Sequence, residues 1–316
     1  MRAIVLSLVL AAAVCAAPST YKVLGKIPIG GEGGWDYATV DSAARRIYVS
    51  HGNRVVVVDL AAEKVIGEIP DTPGVHGIVL APLMGKGFIS NGRGNNVTIF
   101  DLKTLKATGH VPTGQNPDAI FYDAHAGRVF VFNGRSKDAT VIDAATGKVA
   151  TTIALGGKPE FPASDGNGRL WVNIEDTHEI VEIDTAKMTV AKRYSLTGCE
   201  DPTGLALDVK RTRLFSTCGN KLMVVSEPDT GKVVASVPIG EGSDGAGIDP
   251  DRGLIFSSNG GDGTLTLVRF VNGKYEVGQT LPTAKSARTM VVDPVTHRVY
   301  LPAAMSGQFL LLVVGQ

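Results

Sequence analysis

The chain repeats itself. Four strand-like runs end on an acid, VVVVDL, VTIFDL, ATVIDA and IVEIDT, and place Asp59, Asp101, Asp143 and Asp184 at intervals of 42, 42 and 41 residues. The register continues, degraded, through Ser226, Arg269 and Val313. A second column precedes it: RIYVSHG, GFISNG, RVFVFNG, RLWVNIE, RLFSTCG, LIFSSNG and RVYLPAA. A third is an acid-turn-base corner: Asp41 to Arg46, Asp123 to Arg128, Asp165 to Arg169, Asp208 to Arg213, Asp249 to Arg252 and Asp293 to Arg298, with Ala81 to Lys86 in the remaining unit. A fourth is a short run near Pro or Leu, as in GKIPIG, GEIPDT and GHVPTG. The sum is seven units, each of four short β-branched runs separated by Gly, Asp, Asn or Pro.

A unit this short cannot bury its faces alone. Seven of them stacked around an axis can, and a period of ~40–50 residues with four strands per unit is the propeller signature. The expected fold is all-β: a seven-bladed β-propeller with four antiparallel strands per blade, spanning residues 17–316 as a single domain. The chain ends in a third-strand pattern, Phe309 to Val314, and begins with a fourth-strand pattern, Lys22 to Ile29. The N-terminal strand should therefore complete the last blade and close the ring, removing an edge. Glycine supports this reading, since 38 of 316 residues is nearly double the usual ~7%, and the excess sits in recurring GG, NG and GR turns.

Residues 1–16 read as a secretory signal peptide, with Arg2, an apolar run from Ile4 to Ala13, and small residues for cleavage after Ala16. The expected product is exported, periplasmic or secreted. No other stretch approaches the ~20 apolar residues of a membrane span. Formal charge is zero, 31 Lys plus Arg against 31 Asp plus Glu, which lacks the basic excess of a nucleic-acid binder. Export leaves Cys199 and Cys218 in a compartment that permits disulfides. Both fall at the top end of one hairpin and form a candidate bridge.

The columns Tyr48-Val49-Ser50-His51, Phe130-Val131-Phe132-Asn133 and Val299-Tyr300-Leu301, each followed by a V-x-V-I-D-like strand, resemble the YVTN repeat. Over its full exported length the chain is similar to the YncE-like family of exported seven-bladed propellers. The resemblance implies architecture, not a specific activity. Relatives in that broad superfamily include quinoprotein amine dehydrogenase subunits, surface-layer proteins and propeller domains of haem- or copper-bearing reductases, whose cofactor ligands mostly lie on other domains or subunits. This chain carries no C-x-x-C-H haem attachment site.

In such a propeller each blade sends its innermost strand toward the axis from the top face. Counting back five residues from each corner position gives the ring Asp36, His76, Asp118, Glu160, Thr203, Asp244 and Arg288. This ring is the candidate ligand-binding pocket. Asp36, His76, Asp118, Glu160 and Asp244 are the candidate ligands for a divalent cation, Ca or Mg, and the same groups suit a cationic small molecule. The structural alternative is a water-filled channel with a polar rim. Lys158, Lys285 and Arg288 either grip an anionic group or neutralise the ring. Trp35 reads as packing against a neighbouring blade more than as a ligand platform. His110, His125 and His297 read as surface residues, and the G-x-G-x-x-G match at 240–245 leads into a strand and reads as a turn.

Three functions follow. The first is a binding scaffold that takes a small molecule or a protein on its top face and axial pocket. The second is a divalent-metal-dependent hydrolase, lactonase or lyase at the central channel. The third, by fold analogy, is an accessory subunit of a periplasmic redox system. Whether the protein is an enzyme is left open by the sequence.

Overall fold

The computed structural model describes residues 20–316; the expected signal peptide lies outside them. Twenty-eight strands form seven four-stranded antiparallel sheets. The first six blades run Ala38–Asp41 to Lys64–Ile69, Val75–Ala81 to Ala107–Pro112, Pro117–Asp123 to Lys148–Ala154, Pro159–Ser164 to Thr189–Ser195, Pro202–Asp208 to Val233–Pro238, and Ser243–Asp249 to Lys274–Pro282. The seventh combines Val291–Asp293, Arg298–Met305 and Gln308–Gly315 with the N-terminal strand Lys22–Pro28, which pairs antiparallel to Gln308–Gly315. The ring is therefore closed as the terminal patterns require. Helix among the described residues is limited to two single 3-10 turns, Pro82–Met84 and Glu175–Thr177.

The core lies in the seams between blades. Tyr48, Val55, Val57 and Ile69 of blade 1 pack on Val75, Ile78, Ile89 and Phe100 of blade 2. Tyr300, Leu311 and Val313 of blade 7 pack on Ile47, Val49 and Val56 of blade 1. The second and third strands carry this burden, since their middle residues are buried on both faces. That explains why their sequence runs are continuously apolar where a half-exposed strand would alternate.

The acid columns hold turns. Asp59 Oδ1 accepts the amides of Ala61 and Ala62, at 2.8 and 2.7 Å, and Asp101, Asp143 and Asp184 cap the same turn in their blades. These backbone donors hold the first three carboxyls below the usual carboxylate range, and the Lys187 side chain together with the turn amide does the same for Asp184. The corner acids do likewise, Asp41 for Ala44 and Asp123 for His125. Local pairing of acid with base at the corners is kept by Asp249 and Arg252, 3.9 Å apart, and corrected at others: Arg128 pairs with Asp143, Arg169 with Glu182 and Asp229, and Arg213 approaches Glu227. The corner base lies beside its acid in the ladder, but its long side chain reaches past it to acids on the third strand and the next blade. His297 is also corrected. Its Nδ1 lies 2.9 Å from Oδ2 of fully buried Asp249, one blade away.

Candidate functional site

Each ring residue stands at or just before the top of an inner strand, and in five of the seven blades its direction is set by an irregularity in the ladder. In blades 2 to 6 the pairing slips between Val75 and Ile78, Pro117 and Ile120, Pro159 and Pro162, Pro202 and Leu205, and Ser243 and Gly245. His76, Asp118, Glu160, Thr203 and Asp244 lie inside these bulges. A bulge re-aims a side chain that regular pleating would send elsewhere.

The bulged backbone is pinned by a column that sequence reasoning missed, the fifth residue of the second strands. Ser50 Oγ accepts the Asp36 amide at 2.8 Å, and Ser90 Oγ accepts the Gly77 amide at 2.8 Å while donating to the Asp118 carbonyl of the next blade. Ser258 donates to the Arg288 carbonyl, and Asn173 Nδ2 donates to the Thr203 carbonyl at 3.0 Å. Across the closure, Thr289 Oγ1 donates to the Asp36 carbonyl at 2.6 Å. Adjacent inner strands are thereby tied together at ring height. The signal was present as the Ser, Asn and Thr that interrupt otherwise apolar second strands.

Below the ring the channel is stopped. Tyr37 of blade 1 packs against Phe161 of blade 4, ring centroids 5.2 Å apart, and joins the cluster containing Ala119 of blade 3. Blades 1 and 4 are not neighbours, so this contact crosses the axis. The aromatic pair floors the upper channel and turns it into a cup. A cavity of ≈ 620 Å³ opens over its blade 1 to 2 side, lined by Trp35, Asp36, His76, Arg54, Arg93 and Arg288 among others.

The ring divides into sectors. In blades 1 to 3, His76 Nδ1 lies 2.6 Å from Asp36 Oδ2 and 3.6 Å from Asp118 Oδ1. In blade 4, Lys158 Nζ sits 2.8 Å from Glu160 Oε1 and also binds Glu175. Between blades 6 and 1, Arg288 bridges Asp244 at 2.9 Å and Asp36 at 3.4 Å. Thr203 is turned away, donating its hydroxyl to the Ser243 carbonyl at 2.9 Å. Of the five expected metal ligands, Asp36, His76 and Asp118 gather one donor atom each within 4.8 Å of one another. Glu160 and Asp244 are drawn off by Lys158 and Arg288.

Five carboxylates, those of Asp36, Asp118, Glu160, Glu175 and Asp244, thus share Lys158, Arg288 and one imidazole. Negative charge is in excess and poorly solvated, and the titration behaviour follows. Burial and the Asp36 charge push Asp118 up to about 7, with His76 opposing. Burial and Asp36 lift Asp244 to about 6 against Arg288. Burial and Asp118 raise Glu160 despite Lys158. Burial disfavours the His76 imidazolium, but the Asp36 hydrogen bond and the Asp118 charge outweigh it and raise that group. Oδ1 of Asp118 is buried and has no hydrogen-bond partner.

The remaining rim residues are mainly architectural. Trp35 packs on Phe309 of blade 7, centroids 5.0 Å apart, and also edges the cavity. His51 is buried and stacked on the same Phe309 at 4.1 Å. Cys199 and Cys218 form a disulfide with Cα atoms 5.3 Å apart, at the top of blade 5.

No family model and no curated protein sequence matches the chain. Among solved structures, a chain of Kuenenia stuttgartiensis hydrazine synthase superposes with a TM-score of 0.77 at 13% identity, covering 95% of this chain and 98% of that one. At this identity the likeness is one of fold, and 1772 chains match at all, so it identifies a widely shared architecture and no chemistry. No helix among the described residues is long and apolar enough to cross a membrane.

Proposed function

We propose that the protein is an exported propeller of the YncE-like, YVTN-repeat type that acts as a binding scaffold, receiving a cationic group of a small molecule or protein partner in the axial cup of its top face. The observation that carries this reading is the cup's unmatched acid: Asp118 points a buried oxygen at no donor, in a ring where five carboxylates share Lys158, Arg288 and one imidazole. A bound cation supplies the missing partner and recovers the desolvation cost of that group.

The test is thermal stability at pH 8 with cationic probes, spermidine and a lysine-rich peptide, on the wild type and on Asp118→Asn and Asp244→Asn. Stabilisation of the wild type, reduced in both variants, supports the cup. No response to either probe overturns it. For export, the mass of the mature protein should correspond to an N-terminus at Ala17. The redox-accessory reading rests on fold alone. The metal-dependent reading has one specific observation behind it, the clustering of Asp36, His76 and Asp118.

A further inference from the structure

We infer that Asp36, His76 and Asp118 form a three-donor site for a single first-row divalent transition ion such as Mn²⁺ or Zn²⁺, with its open coordination positions facing the arginine-edged cavity. The inference deepens the cup reading and rests on it, naming which cation the blade 1 to 3 sector takes.

The geometry begins with a shortage of donors. His76 presents one nitrogen, Nδ1, to two carboxylates, and one N–H cannot serve both. It sits 2.6 Å from Asp36 Oδ2, which leaves Asp118 Oδ1 at 3.6 Å, buried and without a hydrogen-bond partner. Buried carboxylate oxygens are ordinarily satisfied. A metal ion at the centre of the three atoms satisfies them all at once. Metal bonds of about 2.0–2.2 Å to nitrogen and oxygen at angles between 90° and 110° separate neighbouring donors by roughly 3.0–3.4 Å. The observed 2.6 and 3.6 Å straddle that range, and all three donor atoms lie within 4.8 Å of one another, close enough to be drawn together around one ion.

The ligands are also held from behind, as metal ligands require. Arg288 lies 3.4 Å from Asp36 Oδ1 and turns Oδ2 toward the imidazole. The backbones of Asp36 and Asp118 are pinned by Ser50, Thr289 and Ser90. The His76 ring lies against Gly92, where an added Cβ would come within 2.6 Å of Nε2. That hairpin tip is glycine because the ring occupies the space.

The donor set selects the ion. Two carboxylates alone suit Ca²⁺ or Mg²⁺, which favour all-oxygen shells. The imidazole moves the preference to first-row ions that accept mixed nitrogen and oxygen. The cavity over the site is edged by Arg54, Arg93 and Arg288. A ligand completing the ion's shell from that side is therefore anionic, and a carboxylate matches both the metal and the guanidinium forks.

The experiment is calorimetric titration of the full chain, stripped by chelator, with MnCl₂ and ZnCl₂. The chains are the wild type, Asp118→Asn, His76→Gln, and Asp41→Asn at the opposite end of the blade 1 inner strand. Circular dichroism checks that each is folded, and the two ligand variants stand in for one another if one fails. The wild type and Asp41→Asn should bind one ion, with affinity at least tenfold weaker in Asp118→Asn and His76→Gln. Absence of binding, or binding that ignores both ligand variants, overturns the inference. If spermidine still stabilises the wild type in that case, the cup reading survives without the metal; if neither probe acts, both fall.

Discussion

Each end of the propeller sets a histidine against a carboxylate, and the two pairs differ in what the carboxylate lacks. At the bottom, His297 Nδ1 meets Asp249 Oδ2 at 2.9 Å, and Asp249 Oδ1 takes the amides of Asp251 and Arg252 at 3.2 Å each. Every oxygen is served, and Arg252 stands 3.9 Å away. At the top, His76 meets Asp36 at 2.6 Å, but a second acid, Asp118, faces the same nitrogen and goes unserved. Asp118 lies five residues before Asp123, a bottom-corner acid whose Oδ1 accepts the His125 amide, though its Oδ2 is buried without a hydrogen-bond partner. One residue type on one strand thus closes a turn at one end and leaves a site open at the other. The difference is made by donors: bottom acids sit beside free turn amides, while Asp118, Glu160 and Asp244 sit on bulges that face the axis.

The largest effects should come from breaking the closed end. Asp249→Ala strands the two turn amides and His297, and truncating a buried partner of this kind costs about 3–5 kcal/mol; urea unfolding measures it. Tyr37→Ala removes the aromatic stop and should cost about 3 kcal/mol through the cavity it leaves. In that variant the stabilisation by spermidine should also weaken, because the cup loses its floor. Cys199→Ser with Cys218→Ser releases a cross-link over 19 residues, worth about 3 kcal/mol in the chain-entropy model. Equilibrium unfolding should show that loss with metal titration unchanged, since blade 5 contributes no donor to the Asp36–His76–Asp118 group.

At the open end the sign reverses. Asp118 and Asp244 keep protons in the native state that the unfolded chain has already released, so stability falls as pH rises from about 4 toward the native values of about 7 and about 6. Asp118→Asn removes the larger part of that slope. Its melting temperature should match the wild type near pH 4 and exceed it at pH 8 by about 2–4 °C, measured by differential scanning fluorimetry. A lower melting temperature at pH 8 would show that Asp118 supports the fold as Asp249 does.

How far the sequence revealed this depends on how local each feature is. The 42-residue columns specify blade number, strand order and closure, because turn acids and apolar runs recur in every unit. The ring was legible by counting, since each blade repeats the same offset from its corner. Tyr37 was not, because the positions equivalent to it in the other blades are Gly77, Ala119, Phe161, Gly204, Gly245 and Thr289, and nothing in one repeat shows that a side chain spans to blade 4. Ion-pair partners were misassigned for the same reason. Arg169 reaches Glu182 on its own blade's third strand and Asp229 on the next blade, and the second choice depends on where that blade stands. The grouping of Asp36, His76 and Asp118 apart from Glu160 and Asp244 needed the positions of Lys158 and Arg288, two side chains whose pairing no spacing rule predicts.

The contrast between the two ends can be read directly by carbon-13 NMR titration of the aspartate carboxyls in the metal-free protein. Asp118 should titrate near 7, and Asp293 at the bottom, which accepts the Val295 amide and the hydroxyls of Ser42 and Thr296, below the ordinary carboxylate range. An Asp118 carboxyl titrating with the ordinary surface acids would contradict the account, because it would mean that the top ring is as well served as the bottom.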